Sequence, residues 1–224
     1  MSVRNDDNRC RVVVLISGSG TNLQAIIDGA AEQQCPYEVC AVISNKPEAY
    51  GLARANDAGI ETAVVNHREY LDREGFDTAL IEVIDRYQPE LVVLAGFMRI
   101  LTPGFVRHYS GRLINIHPSL LPKYQGLHTH QRALDAGDSE HGATVHFVTE
   151  ELDGGPPIVQ AVVPVESGDT AQSLAQRVQV QEHIIYPLAV EWFAEGRLRM
   201  ACDRAELDGH PLPASGHRID SRVS

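Results

Sequence analysis

Thiols are scarce in this chain: its 224 residues hold four cysteines, Cys10, Cys35, Cys40 and Cys202, and no C-x-x-C pair. That excludes a disulfide-stapled scaffold and argues against a thiolate metal centre, leaving the cysteines as small buried hydrophobes in a reducing compartment. Long apolar runs are missing too. Hydrophobic residues make up 43% of the chain, yet no stretch approaches the roughly 18 needed to cross a bilayer. The opening MSVRNDDNRC is polar and acidic where a secretory leader is basic and then apolar, so cytoplasmic residence with no membrane partner is expected. Positive charge is in short supply, with 19 Lys and Arg against 30 Asp and Glu and a net charge of −11. Such a field repels phosphate polymers, which argues against nucleic acid as a partner. An anionic ligand would depend on local donors such as a helix N-terminus, and this points to small-molecule substrates.

What is present is an alternation of strand and helix signals. RVVVLIS (11–17) is an unbroken β-branched run of the kind buried in parallel sheets, and the loop SGSGT leads from it into an amphipathic helix carrying Leu23, Ile26, Ile27 and Ala30. EVCAVIS (38–44), a short helix ending at Gly59, TAVVN, a helix with Phe76, Leu80, Val83 and Ile84 on one face, and LVVLAGF (91–97) continue the βαβ period. LINIHP is then a fifth strand. ATVHFVTE (143–150) and PIVQAVVPV (157–165) are joined by the short turn ELDGGP, which predicts an antiparallel pair. A long helix from Thr170 buries Leu174, Val178, Ile185, Leu188 and Trp192 and contains Pro187. The expected fold is α/β: an open, mostly parallel, Rossmann-like twisted sheet with helices on both faces and antiparallel strands in the C-terminal half. One domain is expected over 1–224, with an ordered core at about 10–200 and loosely ordered polar tails at 1–9 and 200–224.

Three constellations could carry chemistry. Asn115 and His117 are two residues apart at the end of a strand, so they project to one face, and Pro118 then ends the ladder. An amide that donates without titrating, beside an imidazole that can give up a proton near neutral pH, suits a developing oxyanion. The alternative is that both are turn residues. In SGSGTN (17–22) the glycines allow a sharp turn and Thr21 and Asn22 open a helix whose free N–H groups would attract a phosphate; the alternative is that Thr21 simply caps the helix. Asp153 in ELDGGP is either a turn residue or a carboxylate that favours a protonated imidazole. Histidines are dense at 108, 117, 128, 130, 141 and 146, but their spacing matches no metal-ligand pattern and H-E-x-x-H is absent, so no metal is expected.

The segments LAGFMRIL (94–101), GRLINIHPSLLPKYQGLHTH (111–130), HGATVHFV (141–148), ELDGGP (151–156) and QEHIIYP (181–187), with SGSGTNLQAIID, resemble the folate-dependent formyltransferases, and among them the phosphoribosylglycinamide formyltransferases of purine synthesis. The likeness runs from about Val12 to Arg199. It implies transfer of a formyl group from 10-formyltetrahydrofolate, as co-substrate, to the amine of glycinamide ribonucleotide, directly through a tetrahedral intermediate and without a metal, in a monomer or homodimer. It implies that Asn115 bonds the oxyanion, that His117 is the protonated donor and that Asp153 holds it so. Gly20, Thr21, Asn22 and Glu182 match the ribonucleotide-binding positions. Arg73, the run Met98, Arg99, Ile100 and Leu101, Asn115, and the run Thr149, Glu150, Glu151, Leu152 and Asp153 match the folate-binding positions. Gln125 departs from the familiar P-K-Y-P-G, as does Ser19 in the glycine loop. Formyltetrahydrofolate deformylase and methionyl-tRNA formyltransferase share the chemistry but carry further domains, for which this chain has no room; a non-catalytic nucleotide-binding α/β module is the rival of another class.

Overall fold

A computed structural model describes residues 9–222 of the chain. Its strands are β1 (Cys10–Ile16), β2 (Tyr37–Ser44), β3 (Thr62–Val64), β4 (Leu91–Leu94), β5 (Leu113–His117), β6 (Glu140–Phe147), β7 (Pro157–Pro164), β8 (Leu198–Ala201), β9 (Arg204–Leu207), β10 (His210–Pro211) and β11 (His217–Asp220). The helices are α1 (Thr21–Ala30), α2 (Gly51–Asp57), α3 (Arg73–Arg86), α4 (Pro103–His108), α5 (Thr129–Asp135) and α6 (Ala171–Ala194). The main sheet has eight strands in the order β11-β7-β6-β5-β4-β1-β2-β3. The run from β3 through β2, β1 and β4 to β5 is parallel throughout. β6 then runs against β5, and β7 against β6.

The unbroken apolar run of β1 is explained by what lies on either side. Val12, Val14 and Ile16 face a cluster with Leu23, Ile26 and Ile27 of α1 and Leu174, Val178 and Ile185 of α6. Val13 and Leu15 face the opposite way, onto Phe76, Leu80 and Ile84 of α3 and Phe105 of α4. A strand covered on both faces needs apolar residues at every position, where a half-exposed strand would alternate. Each fully buried Leu, Ile or Phe adds roughly 1.5–3 kcal/mol to such a core. Loops after β1 and β4, neighbours at the sheet centre, therefore open at the place where chain direction around the sheet reverses, the usual crevice for ligands in this architecture.

The residues after Arg199, expected as a loose tail, are instead mostly built into the fold. β8, β9 and β10 form a small antiparallel sheet, and β11 adds to the edge of the main sheet parallel to β7. Leu198 and Ala205 are buried, and Arg218 and Arg222 each reach Glu140 at 2.6 Å. Strands of two to four residues are too short to show a period, and β11 is held by backbone pairing and ion pairs that no local pattern announces. Residues 1–8 of the expected N-terminal tail, and residues 223–224, lie outside the described residues.

α6 spans 24 residues with Pro187 inside it. Its phase is set by Tyr186, fully buried, whose hydroxyl donates to the Leu94 carbonyl at 2.8 Å and lies 3.3 Å from that of Ile114. One turn earlier on the same face sits Glu182, so this contact aims the carboxylate at the glycine loop. Tyr186→Phe leaves the Leu94 carbonyl without this donor, and a lost buried hydrogen bond costs about 1–2 kcal/mol. Thermal unfolding should show a fall of about 2–8 °C for a chain of this size; an unchanged midpoint would mean the hydroxyl contributes nothing to the docking of α6.

Candidate active site

The end of β5 carries Asn115 and His117 on one face, as their spacing predicts. Across the antiparallel ladder Asn115 lies opposite His146 and His117 opposite Thr144. Facing residues of such a pair share a face, and the Asn115 amide accordingly reaches Nε2 of His146 at 3.3 Å. His146 is 2% exposed, and its Nδ1–H donates to the Phe147 carbonyl at 2.9 Å. Nε2 is therefore the acceptor in a neutral ring, and Asn115 Nδ2 donates to it. That orients the amide and leaves its second N–H unused by this contact.

His117, 6% exposed, is set between two acceptors. Its Nε2 is 2.9 Å from the Tyr124 carbonyl oxygen, and its Nδ1 is 3.5 Å from Oδ2 of Asp153. A ring flanked by acceptors on both sides accommodates a hydrogen on each nitrogen. Asp153 is itself pinned: the Gly126 N–H donates to its Oδ2 at 2.9 Å, its Oδ1 lies 3.9 Å from Nε2 of His146, and its side chain is 8% exposed. The two readings of Asp153 merge here, since it is a turn residue, with φ at 50° in the left-handed region, and it is also the carboxylate at the imidazole. The following glycines serve the same turn, because a Cβ at Gly155 would drive into the Phe147 carbonyl oxygen.

The glycine loop lies at the other side of the site. Gly20 is left-handed, with φ at 71°, and a Cβ there would come within 2.7 Å of the Gly51 Cα, so the loop packs against the start of α2 only with glycine. Thr21 does not cap α1. The helix has no side-chain cap, and Thr21 Oγ1 instead accepts from Gln179 at 3.1 Å. The first-turn N–H groups of α1 are left without side-chain acceptors, the arrangement that receives an anion. Asn22 turns inward and donates from Nδ2 to Glu182 at 2.9 Å, while its Oδ1 is buried with no partner. Glu182 is 8% exposed, and burial raises its carboxyl above the ordinary range against the opposing pull of Asn22 and of the charge on His117.

The remaining predicted residues are placed around this centre. Met98 N–H donates to Ser17 Oγ at 2.8 Å, tying the run after β4 to the end of β1. Arg99 stacks on Phe76 of α3, 4.9 Å from the ring centroid, and its Nε is buried without a partner. Met98, Ile100 and Leu152 are large, apolar and each more than half exposed, at 65%, 55% and 55%. Arg107 pairs with Glu150 at 2.7 Å, which links the 149–153 turn to α4, the helix that Leu101 leads into. Thr149 is half-buried and Glu151 exposed. Arg73 begins α3 fully on the surface, and no contact draws it toward His117. A groove of about 720 Å³ does open at Thr21 and Arg54, but it runs between α1 and α6 and none of Asn115, His117 or Asp153 lines it, so the chemistry is assigned by the polar groups. Among the described residues no cluster of three or more His, Cys, Asp or Glu is arranged to hold a metal, and no helix is long and apolar enough to cross a membrane.

Sequence reasoning missed three participants: the ring of His146, the Tyr124 carbonyl and the Gly126 N–H. Two are backbone groups and carry no residue signature. His146 stands out only once the β5–β6 register is known. Burial holds its ring neutral, with pKa lowered to about 4 against the opposing effects of the Phe147 carbonyl and Asp153. His141, also buried, is lowered to about 4. An unfolded histidine titrates near 6.5, so the unfolded chain binds protons that the fold refuses, and stability present above pH 6.5 should be lost as pH falls toward 4. Urea midpoints at pH 7 and pH 5 check this: the midpoint should drop at pH 5, and drop less in His146→Gln. Equal midpoints for the unmodified chain would contradict it.

A family model described as formyl transferase matches residues 10–190. The chain is 58% identical over 209 residues to phosphoribosylglycinamide formyltransferase of Escherichia coli (strain K12), covering 93% of this chain and 99% of that protein. It is 45% identical over 195 residues to the trifunctional purine biosynthetic protein adenosine-3 of Homo sapiens, covering 87% of this chain and 19% of that protein. Among solved structures, phosphoribosylglycinamide formyltransferase from Coxiella burnetii superposes with a TM-score of 0.90 at 55% identity, over 94% of this chain and 99% of that one.

Proposed function

The chain belongs to the formyl transferase family, and from that membership we propose that it transfers the formyl group of 10-formyltetrahydrofolate to the amine of glycinamide ribonucleotide, giving the formylated ribonucleotide and tetrahydrofolate. The observation that carries this reading is the convergence of Asn115, His117 and Asp153, from β5 and from the β6–β7 turn, on one buried point. The amine nitrogen attacks the formyl carbon, the formyl oxygen gathers negative charge in a tetrahedral intermediate, and the bond from that carbon to the folate nitrogen breaks. The amine loses a proton and the leaving nitrogen gains one. Asn115 donates its free N–H to the oxyanion. His117, with a hydrogen on the nitrogen facing Asp153, supplies positive charge and a proton beside the same oxygen, and Asp153 orients it.

The ribonucleotide phosphate lies on the open N-terminus of α1 at Gly20, Thr21 and Asn22, where the helix dipole and free N–H groups favour an anion. The orphaned Oδ1 of Asn22 and the carboxylate of Glu182 accept from the amine end of the substrate. The folate is the formyl donor. Its ring fits against the exposed apolar side chains Met98, Ile100 and Leu152, with the unpartnered Nε of Arg99 as a donor. Leu101 and the remainder of the 149–153 turn frame that cleft, and Arg73 is its outermost member. The site is complete within one chain, so a monomer or a homodimer would carry it, and cytoplasmic residence suits both substrates.

The direct test mixes the purified chain with both substrates and follows tetrahydrofolate release. Release that requires the ribonucleotide is expected; release with water alone would make the protein a deformylase. Asn115→Ala should lower kcat by about 10²–10³, the usual loss for one oxyanion donor, while the chain still folds, with a stability cost of about 1–3 kcal/mol from the lost hydrogen bond to the buried His146. Wild-type turnover in that variant would remove Asn115 from the mechanism.

A further inference from the structure

Behind the catalytic imidazole lies a buried polar row that the reaction does not touch. Gln160 of β7 is abreast of Thr144 of β6, and Thr144 is abreast of His117 of β5. Gln160 is 2% exposed and Thr144 fully buried. Both hydrogens of the Gln160 amide are used: Nε2 donates to the Leu121 carbonyl at 2.7 Å and to Thr144 Oγ1 at 3.0 Å. Thr144 Oγ1 accepts the Leu121 N–H at 3.1 Å and donates to the Ser119 carbonyl at 2.6 Å. Ser119 Oγ in turn donates to the Lys123 carbonyl at 2.6 Å. The next residue, Tyr124, presents its carbonyl to Nε2 of His117 from a left-handed backbone, φ 58°. A tyrosine stays in that region only when its surroundings over-determine it. The bonds from Gln160, Thr144 and Ser119 do this from inside, and Asp138, accepting from the Tyr124 hydroxyl at 2.8 Å and from Lys123 at 2.9 Å, does it from outside.

We propose that Gln160, acting through Thr144, is a positioning residue for His117: it fixes the 118–124 loop so that the Tyr124 carbonyl holds Nε2 and the ring keeps Nδ1 turned to Asp153. A glutamine does not titrate, so acid–base chemistry is not open to it. What the position requires is two N–H donors on one atom, aimed at a carbonyl and a hydroxyl that are both sealed from water; an apolar side chain leaves both unpaired, and a carboxylate cannot donate to either. The catalytic consequence rests on the formyl-transfer reading above. The orientation of the ring does not.

The experiment uses the full chain with ¹⁵N-labelled histidine. Gln160→Met keeps length and removes the N–H groups, Thr144→Val keeps shape and removes the hydroxyl, and Thr144→Ser restores it. In the first two, kcat should fall by about tenfold or more with KM for both substrates within about threefold, because a loosened ring lowers turnover more than binding. The ring nitrogen resonances of His117 should move in the same two variants and return in Thr144→Ser. If Gln160→Met does not fold, the valine and serine pair at Thr144 decides the matter alone. Variants that are folded, less heat-stable, and unchanged in both kcat and ring resonances would overturn the proposal, since they would show a structural role only. A wild-type chain with no formyl transfer would sink the reading of the preceding section, while the resonances would still decide whether Gln160 sets the ring.

Discussion

The contact on which the site depends is the carboxylate of Asp153 facing the imidazole of His117, and it exists because the sheet reverses direction. Through β5 every strand of the main sheet is parallel, and each catalytic side chain would have to come from a loop beyond a strand end. β6 breaks that rule by running back along β5. The turn that follows it begins level with Leu113, to which Val148 is bonded at 2.9 Å, and so folds back across Asn115 and His117. Reversal supplies both partners that the β5 residues lack: His146 directly abreast of Asn115, and Asp153 from the turn. A parallel sixth strand would need a crossover of a dozen or more residues and would leave no short turn above β5.

How much of this was legible in sequence divides along a physical line. Periodicity is local, so the apolar run of β1 and the amphipathic face of α3 announced their elements correctly, and the i, i+2 spacing of Asn115 and His117 put them on one face without any tertiary information; β6, buried at every position after its first, carries no alternation. Partnerships across strands are not local. Nothing in HGATVHFV says that His146 and Thr144, rather than His141, will stand beside β5, because register is fixed by how the whole strand buries its apolar face. The same holds for the C-terminal segment, where β11 is recruited by an open sheet edge and by Glu140, both belonging to distant sequence. The residues alone left Asp153 open between a turn residue and a carboxylate partner of the imidazole, and Glu182 came only from the resemblance to a known family.

The site is also where the fold departs from what stability alone would select. His146, His117, Glu182, Thr144 and Gln160 are all nearly or fully buried, and buried polar groups are tolerated only when each donor and acceptor is matched. Most here are matched within the protein. Among the described residues three buried polar side-chain atoms have no partner: Oδ1 of Asn22 beside Glu182, Nε of Arg99 over Phe76, and Nε2 of His183, which lines the groove between α1 and α6. Tyr124 and Asp153 add left-handed backbone at non-glycine positions, each a local strain on the order of 1–3 kcal/mol that the surrounding bonds must hold. These two are the left-handed residues that contact the imidazole directly, Tyr124 through its carbonyl and Asp153 through its carboxylate, so the strain at this point is held where both partners of His117 are fixed.

Electrostatics explains why that geometry must be local. The chain carries a net charge of −11, so its far field opposes a phosphorylated substrate, and attraction has to be generated within the crevice. α1 does so with a helix N-terminus free of side-chain caps. Beside it, Arg54 donates to the Ser19 carbonyl and the Gln24 amide oxygen, both neutral, so its charge is not cancelled by an ion pair. Other arginines are spent on carboxylates, as Arg177 is on Asp169 and Arg197 on Asp208. Fields from a dipole and one cation fall off within a few ångströms in water but persist in a crevice walled by apolar strands. An anion at the N-terminus of α1 would therefore be held by these local donors against the repulsion of the far field.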